Sequence, residues 1–229
     1  MWELQTFIDN NFLWIMLSVS AVFTMIWLLL LRERLRMAWY MAIPIAVLHV
    51  IYGVFCVRVF ARLEGAGNGA MSLFGAVFFM PVAYYLGARL SKRSVAEVFD
   101  IFTVPLVFTL MLARVNCLHA GCCLGQFITG TQMRWPTRQA ELLFYIVFLA
   151  VMIPKVRKKK TYGNVYPIYM TAYGGFRFII EFFREVATDT LFHLSHMWAI
   201  TAIVLGVSVY IKQRNKTIKR ELSDKKRRK

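Results

Sequence analysis

Apolar residues in this chain run in long blocks separated by short polar stretches. Phe12–Leu31 is 20 residues without a charge, and Met37–Val57 is 21. Crossing about 30 Å of hydrocarbon takes roughly 20 residues of helix, so each block predicts a transmembrane span. Further blocks run Ala66–Ala88, Val98–Ala113, Ala140–Ile153, Val165–Phe183 and Leu194–Ile211. The fourth and fifth are short and need flanking polar residues to reach both interfaces. The pattern predicts an all-α, polytopic integral membrane protein of about seven transmembrane helices. Residues before the first block include Glu3 and Asp9 but no Lys or Arg, and no small-residue cleavage site follows, so it is expected to stay as a span.

Composition agrees with that reading. Charged residues make up 17% of the chain and hydrophobic residues 59%, where a soluble domain carries about 25% charged. The 28 Lys+Arg against 12 Asp+Glu do not imply nucleic-acid binding, because they punctuate apolar spans and form no groove or stripe. With the N-terminus outside, the inward segments 32–36, 89–100, 155–160 and 212–229 hold 3, 3, 5 and 10 Lys/Arg. Every lysine falls in these segments. The seven basic residues on the other side are all Arg: Arg58, Arg62, Arg114, Arg134, Arg138, Arg177 and Arg184. Positive-inside bias therefore predicts N-out and C-in. Residues 1–211 read as one transmembrane domain, with 116–141 an outward loop or re-entrant segment, and 212–229 as a basic cytoplasmic tail.

Arginines placed against that bias need a reason. Arg58, Arg62 and Arg134 are explained by snorkelling to the interface. Arg114 and Arg177 lie within or against apolar runs, where a charge costs about 3 kcal/mol or more and function is the default reading. In the sixth block a helical period puts Tyr173, Arg177, Glu181 and Arg184 on one face. The opposite face is Phe176, Phe178, Ile179, Ile180, Phe182 and Phe183. The polar stripe must meet protein or a watery cavity. Gly174–Gly175 beside it permits close approach of another helix or a ligand.

A second concentration of chemistry follows the fourth block: Arg114, Asn116, Cys117, His119, Cys122, Cys123, Gln126, Arg134, Arg138 and Glu141. Gly121, Gly125 and Gly130 break any long helix there. C-x-H-x-x-C-C lacks the paired C-x-x-C arrangement usual for metal ligands, so no metal is expected. A disulfide from Cys117 to Cys122 or Cys123 suits an oxidising compartment, and small buried thiols packed in a tight turn fit equally.

Several of these segments resemble the prolipoprotein diacylglyceryl transferase family. Y-G-G-F-R-F-I-I-E-F-F-R (Tyr173–Arg184) is similar to its Y-G-x-F-R-F-x-x-E-F-F-R signature. R-W-P-T-R-Q-A-E (Arg134–Glu141) resembles its H-P-T-Q-L-Y-E. A-R-V-N-C-L-H-A-G-C-C-L-G-Q stands in place of its G-R-x-G-N-F-x-N-G-E-x-x-G-R, and M-S-L-F-G-A (Met71–Ala76) in place of M-S-F-H-G-G. Order and spacing agree over roughly residues 70–205. The resemblance implies seven spans and transfer of the diacylglyceryl group of phosphatidylglycerol to a prolipoprotein cysteine, at the outer face of the bacterial inner membrane. It implies catalytic positions at Arg114, Tyr173, Arg177 and Glu181, with the arginines on the lipid phosphate. His119 and Cys122 are candidates for activating the acceptor. Cys117, Arg138, Glu141 and Arg184 are candidates for holding substrate. No cofactor is required on this reading.

The departures are specific. Phe74 stands where the family has histidine, Cys117 and Ala120 where it has asparagines, Cys122 where it has glutamate, and Gln126 where it has the closing arginine. The phosphate-holding residues are kept and the acid/base groups are not. A non-catalytic protein that binds anionic phospholipid, and a thiol redox membrane protein, are the other function classes this pattern allows.

Overall fold

The computed structural model describes residues 2–67, 69–161, 163–185 and 192–227, with side chains placed from residue 5 to residue 215 of these. The chain is all-helical among the described residues. The helices are α1 (Trp2–Leu30), the short α2 (Arg32–Leu35), α3 (Ala42–Leu63), α4 (Leu73–Leu90), α5 (Val95–His119), α6 (Thr137–Arg157), α7 (Val165–Glu181) and α8 (Leu194–Arg227). Six of them are long and apolar enough to cross a membrane, making this a multi-pass membrane protein. The remaining long helix, α7, has 17 residues and carries Arg177 and Glu181.

Helix limits differ from the apolar blocks in an understandable way. Hydrogen bonding runs on into polar flanks, so α5 and α6 extend past the short fourth and fifth blocks at both ends. In the third block, residues 66, 67 and 69–72 precede α4 and are not helical, consistent with the glycines of the E-G-A-G-N-G-A stretch. The basic stretch after Ile211 continues α8 as helix to Arg227. Its side chains beyond residue 215, and Arg228 and Lys229 altogether, lie outside the described residues.

The spans pack through polar as well as apolar contacts. Pro105 in α5 cannot donate to Ile101 O, and Trp27 Nε1 of α1 donates to that carbonyl at 2.8 Å. Pro81 in α4 frees Val77 O in the same way, and the Tyr166 hydroxyl of α7 donates to it. These two proline-freed carbonyls thus tie their helices to neighbours, as suits a water-free environment. Among the described residues, α7 packs most extensively on α8. At Gly174 a Cβ would stand 2.7 Å from Ala199 O, so hydrogen in place of a side chain is what admits α8.

The two ends of the bundle differ. At one, Arg34 of α2 pairs with Glu97 at 2.9 Å and donates to Val156 O at 2.5 Å, while Arg93 donates to Arg36 O. Asp100, buried, accepts from Thr161 Oγ1 at 2.5 Å, Gly163 N at 2.6 Å and Val165 N at 2.9 Å, capping the start of α7. Most of the predicted inward segments meet here. The opposite end gathers the C-termini of α5 and α7 and the N-terminus of α6, and it holds the charges of the polar stripe.

Candidate active site

Three helices each deliver one charge to a point that is almost closed to solvent. Arg114 comes from the last turns of α5, Glu141 from the start of α6 and Arg177 from α7; they are 4%, 3% and 5% exposed. Glu141 bridges the other two. One carboxylate oxygen pairs with Arg114 Nε, and the other accepts from Arg177 at 2.6 Å. Glu181, one turn beyond Arg177, pairs with it at 2.9 Å and with Arg184 at 3.2 Å. Within these ion pairs three guanidiniums face two carboxylates, an excess of one positive charge. The Nε atoms of Arg177 and Arg184 are buried without a hydrogen-bond partner among the described residues. An excess positive charge with idle donors has the chemistry to hold one anion.

Aromatic rings wall this network. Tyr173 lies one turn before Arg177, its ring 6.4 Å from that of Tyr145 on α6; both hydroxyls are buried, and that of Tyr173 has no hydrogen-bond partner among the described residues. Phe74 packs edge-on to Tyr173 at 5.6 Å and lies 5.8 Å from the Arg177 guanidinium. An apolar ring therefore occupies the position from which an imidazole would face the arginines. Tyr145 was not singled out by the sequence, although it sits one helical turn from Glu141. Glu64, in the loop after α3, was also missed. Burial raises its carboxyl above the usual range, and Arg177 and Glu181 lie within its electrostatic reach.

Between α5 and α6 the chain forms a loop over 120–136 and not a re-entrant helix. Its middle pairs with the segment after α7: Gln126 N donates to Phe183 O and Glu185 N to Leu124 O. Gly125 sits against the Trp135 backbone with no room for a Cβ. Arg138 turns its guanidinium to the Cys117 and Cys122 carbonyls, at 3.2 and 3.4 Å, so in this structure it holds the loop. Arg134 pairs with Glu185 and lies 4.0 Å over the Phe127 ring.

The loop brings three sulfurs together. The Sγ atoms of Cys117, Cys122 and Cys123 lie within 4.8 Å of one another, and Arg114 reaches Cys117 Sγ at 3.9 Å. The Cys117 thiol donates toward Cys123, and with Arg114 and Arg184 nearby it pushes the Cys123 thiol down to about 4, against the effect of burial. Burial pushes the Cys122 thiol the other way. His119 points elsewhere: it stacks on Phe12 of α1 at 4.0 Å and lies 3.4 Å from Asp9. Of the ten candidates, Arg114, Glu141, Tyr173, Arg177, Glu181 and Arg184 converge, Cys117 and Cys122 join them through Arg114, and Arg138 and His119 are engaged outside the cluster.

The sequence profile of prolipoprotein diacylglyceryl transferase matches residues 16–212. The chain is 24% identical over 159 residues to the phosphatidylglycerol–prolipoprotein diacylglyceryl transferase of Dehalococcoides mccartyi, covering 63% of this chain and 60% of that protein. With the protein of the same name from Clostridium tetani it shares 23% over 164 residues, 65% of this chain and 66% of the relative. With that of Idiomarina loihiensis it shares 34% over 130 residues, 52% of this chain and 48% of the relative. The chain spans about 60% of the length of the first of these relatives.

Proposed function

We propose that this chain, which belongs to the prolipoprotein diacylglyceryl transferase family, transfers a diacylglyceryl group from phosphatidylglycerol to a protein thiol at the outer face of a bacterial inner membrane. The observation that carries this is the buried network of Arg114, Glu141, Arg177, Glu181 and Arg184, one positive charge in excess. A phosphodiester brings one negative charge. The carboxylates hold the guanidiniums in place, and the idle Nε donors of Arg177 and Arg184 are free for phosphate oxygens.

In the transfer, the acceptor sulfur attacks the glyceryl carbon and the carbon–oxygen bond to phosphate breaks. The bonding pair leaves with glycerol 1-phosphate. Charge develops on the departing phosphate, where Arg114 and Arg177 stabilise it; removing one such donor typically costs about a hundredfold to a thousandfold in rate. Tyr145 and Tyr173 hydroxyls supply further donors. Orientation follows the basic residues: the network lies at the end of the bundle away from the inward segments, which puts it toward the outer face.

The test is turnover by the purified protein in vesicles containing phosphatidylglycerol, with a lipobox peptide as acceptor and mass spectrometry of the product. A thioether-linked diacylglyceryl peptide with release of glycerol phosphate is expected, and Arg177→Ala should lower its rate at least a hundredfold. Phosphatidylglycerol bound with no thioether product on any thiol acceptor would reduce the protein to a lipid binder and overturn the proposal.

A further inference from the structure

The transferase reading leaves one task unassigned. A free thiol titrates near 8.5 and is mostly protonated near neutral pH. The position facing Arg177 is Phe74, which takes no proton, and His119 is turned toward α1. Beside Arg114, however, stand three thiols that the arginine network does not use.

Their placement is local and specific. Cys117 lies in the last turn of α5, Gly121 at φ +67° reverses the chain, and Cys123 at φ +59° returns it. A left-handed backbone is uncommon for a residue with a Cβ. The result is three Sγ atoms within 4.8 Å of one another. Tetrahedral zinc with Zn–S of about 2.3 Å sets sulfurs about 3.8 Å apart, so closure on a metal moves them by roughly 1 Å or less. Arg138 and Thr137 hold the carbonyls of Cys117, Cys122 and Cys123, which fixes the loop from outside. Three thiolates on a divalent ion carry one negative charge, and Arg114, 3.9 Å from Cys117 Sγ, with Arg184 nearby, sets cationic groups beside it. An all-sulfur donor set selects a thiophilic ion over magnesium or calcium.

We propose that Cys117, Cys122 and Cys123 form a three-thiolate zinc site whose fourth position takes the acceptor thiol. Three protein ligands with one position open is the catalytic and not the structural pattern for zinc. A coordinated thiol is held as thiolate, its proton passing to water. Its sulfur then forms the bond to the glyceryl carbon while the carbon–oxygen bond to phosphate breaks and the electron pair leaves with glycerol 1-phosphate. Arg114 touches both halves of the reaction, Cys117 on one side and Glu141 of the phosphate site on the other. The metal's part in activating the acceptor rests on the transferase reading; the metal site itself does not.

The experiment begins with the full chain, purified under a phosphine reductant, given zinc and freed of excess. About one zinc per chain is expected by elemental analysis. Each of Cys117→Ser, Cys122→Ser and Cys123→Ser should lower retained zinc at least tenfold, while Cys56→Ala, in α3, should not. Cobalt in place of zinc should show thiolate-to-metal charge-transfer absorption in the unmutated protein, which needs no variant to fold. Folded protein that retains no zinc and shows no such band overturns the site. So does a Cys117–Cys122 or Cys117–Cys123 disulfide in protein taken directly from membranes. Diacylglyceryl transfer that is lost on chelation and restored by zinc supports the activating role. Transfer undiminished in metal-free protein overturns that role and leaves the transferase function standing. Stoichiometric zinc without transfer to any thiol leaves the metal site standing and overturns the transferase function.

Discussion

Replacing Glu141 by glutamine removes the one carboxylate that joins two buried arginines and changes shape by almost nothing. Arg177 keeps Glu181 at 2.9 Å, but Arg114 loses its only carboxylate partner among the described residues while remaining 4% exposed. Removing one partner of a buried pair costs about 3–5 kcal/mol, because the other charge is left uncompensated. The retained amide oxygen still accepts a hydrogen bond, which puts the expectation near the lower end. For a chain of this size each kcal/mol moves the midpoint by roughly 2–4 °C, so a drop of about 6–12 °C is expected. Thermal unfolding in neutral detergent measures it. The excess charge of the network rises from one to two, so added phosphatidylglycerol should restore more stability to Glu141→Gln than it adds to the unmutated protein. A double-mutant cycle with Arg114→Met isolates the pair, and a coupling of about 1.5–3 kcal/mol is expected. Additive costs in that cycle, with no special rescue by anionic lipid, would refute the bridging role of Glu141.

Three further outcomes follow from separate parts of the molecule. Gly174→Ala pushes a Cβ to 2.7 Å from Ala199 O and 2.9 Å from Ile203 Cγ1, whereas Gly175→Ala meets nothing within 4 Å; the first should cost about 1–3 kcal/mol in thermal unfolding, the second should be tolerated, and equal costs would contradict the α7–α8 packing. Burial raises the Glu64 carboxyl, so the folded state keeps its proton to higher pH than the unfolded chain; stability tied to it is full below about pH 4.3 and is lost as pH rises through the folded value. Glu64→Gln should therefore raise the melting temperature near pH 8 and leave it unchanged near pH 4, and an equal shift at both would sink the argument. Asp100→Ala strips the N-terminus of α7 of three hydrogen bonds and should cost about 3 kcal/mol or more, since buried N–H groups are orphaned; near-normal unfolding would show that the cap is dispensable.

Much of this protein was legible in its residue order because helix periodicity is a local property. Blocks of about 20 apolar residues predict spans in any context, and Tyr173, Arg177 and Glu181 share a face of α7 because 3.6 residues make a turn. The grouping of every lysine into the connecting segments 89–100 and 155–160 and the tail 212–229 is likewise plain from residue order. What periodicity cannot carry is which faces meet. Glu141 joins Arg114 and Arg177, distant in sequence, only because α6 packs against α5 near α7. C-x-H-x-x-C-C reads as a poor metal motif, yet a left-handed turn at Gly121 and Cys123 gathers its sulfurs and leaves its histidine against α1. Trp27 and Tyr166 look like ordinary apolar positions until the carbonyls freed by Pro105 and Pro81 are found beneath them. In hydrocarbon every polar group must find a partner inside the protein; the sequence alone shows which groups need one, and only the packing of the helices decides which partner each receives.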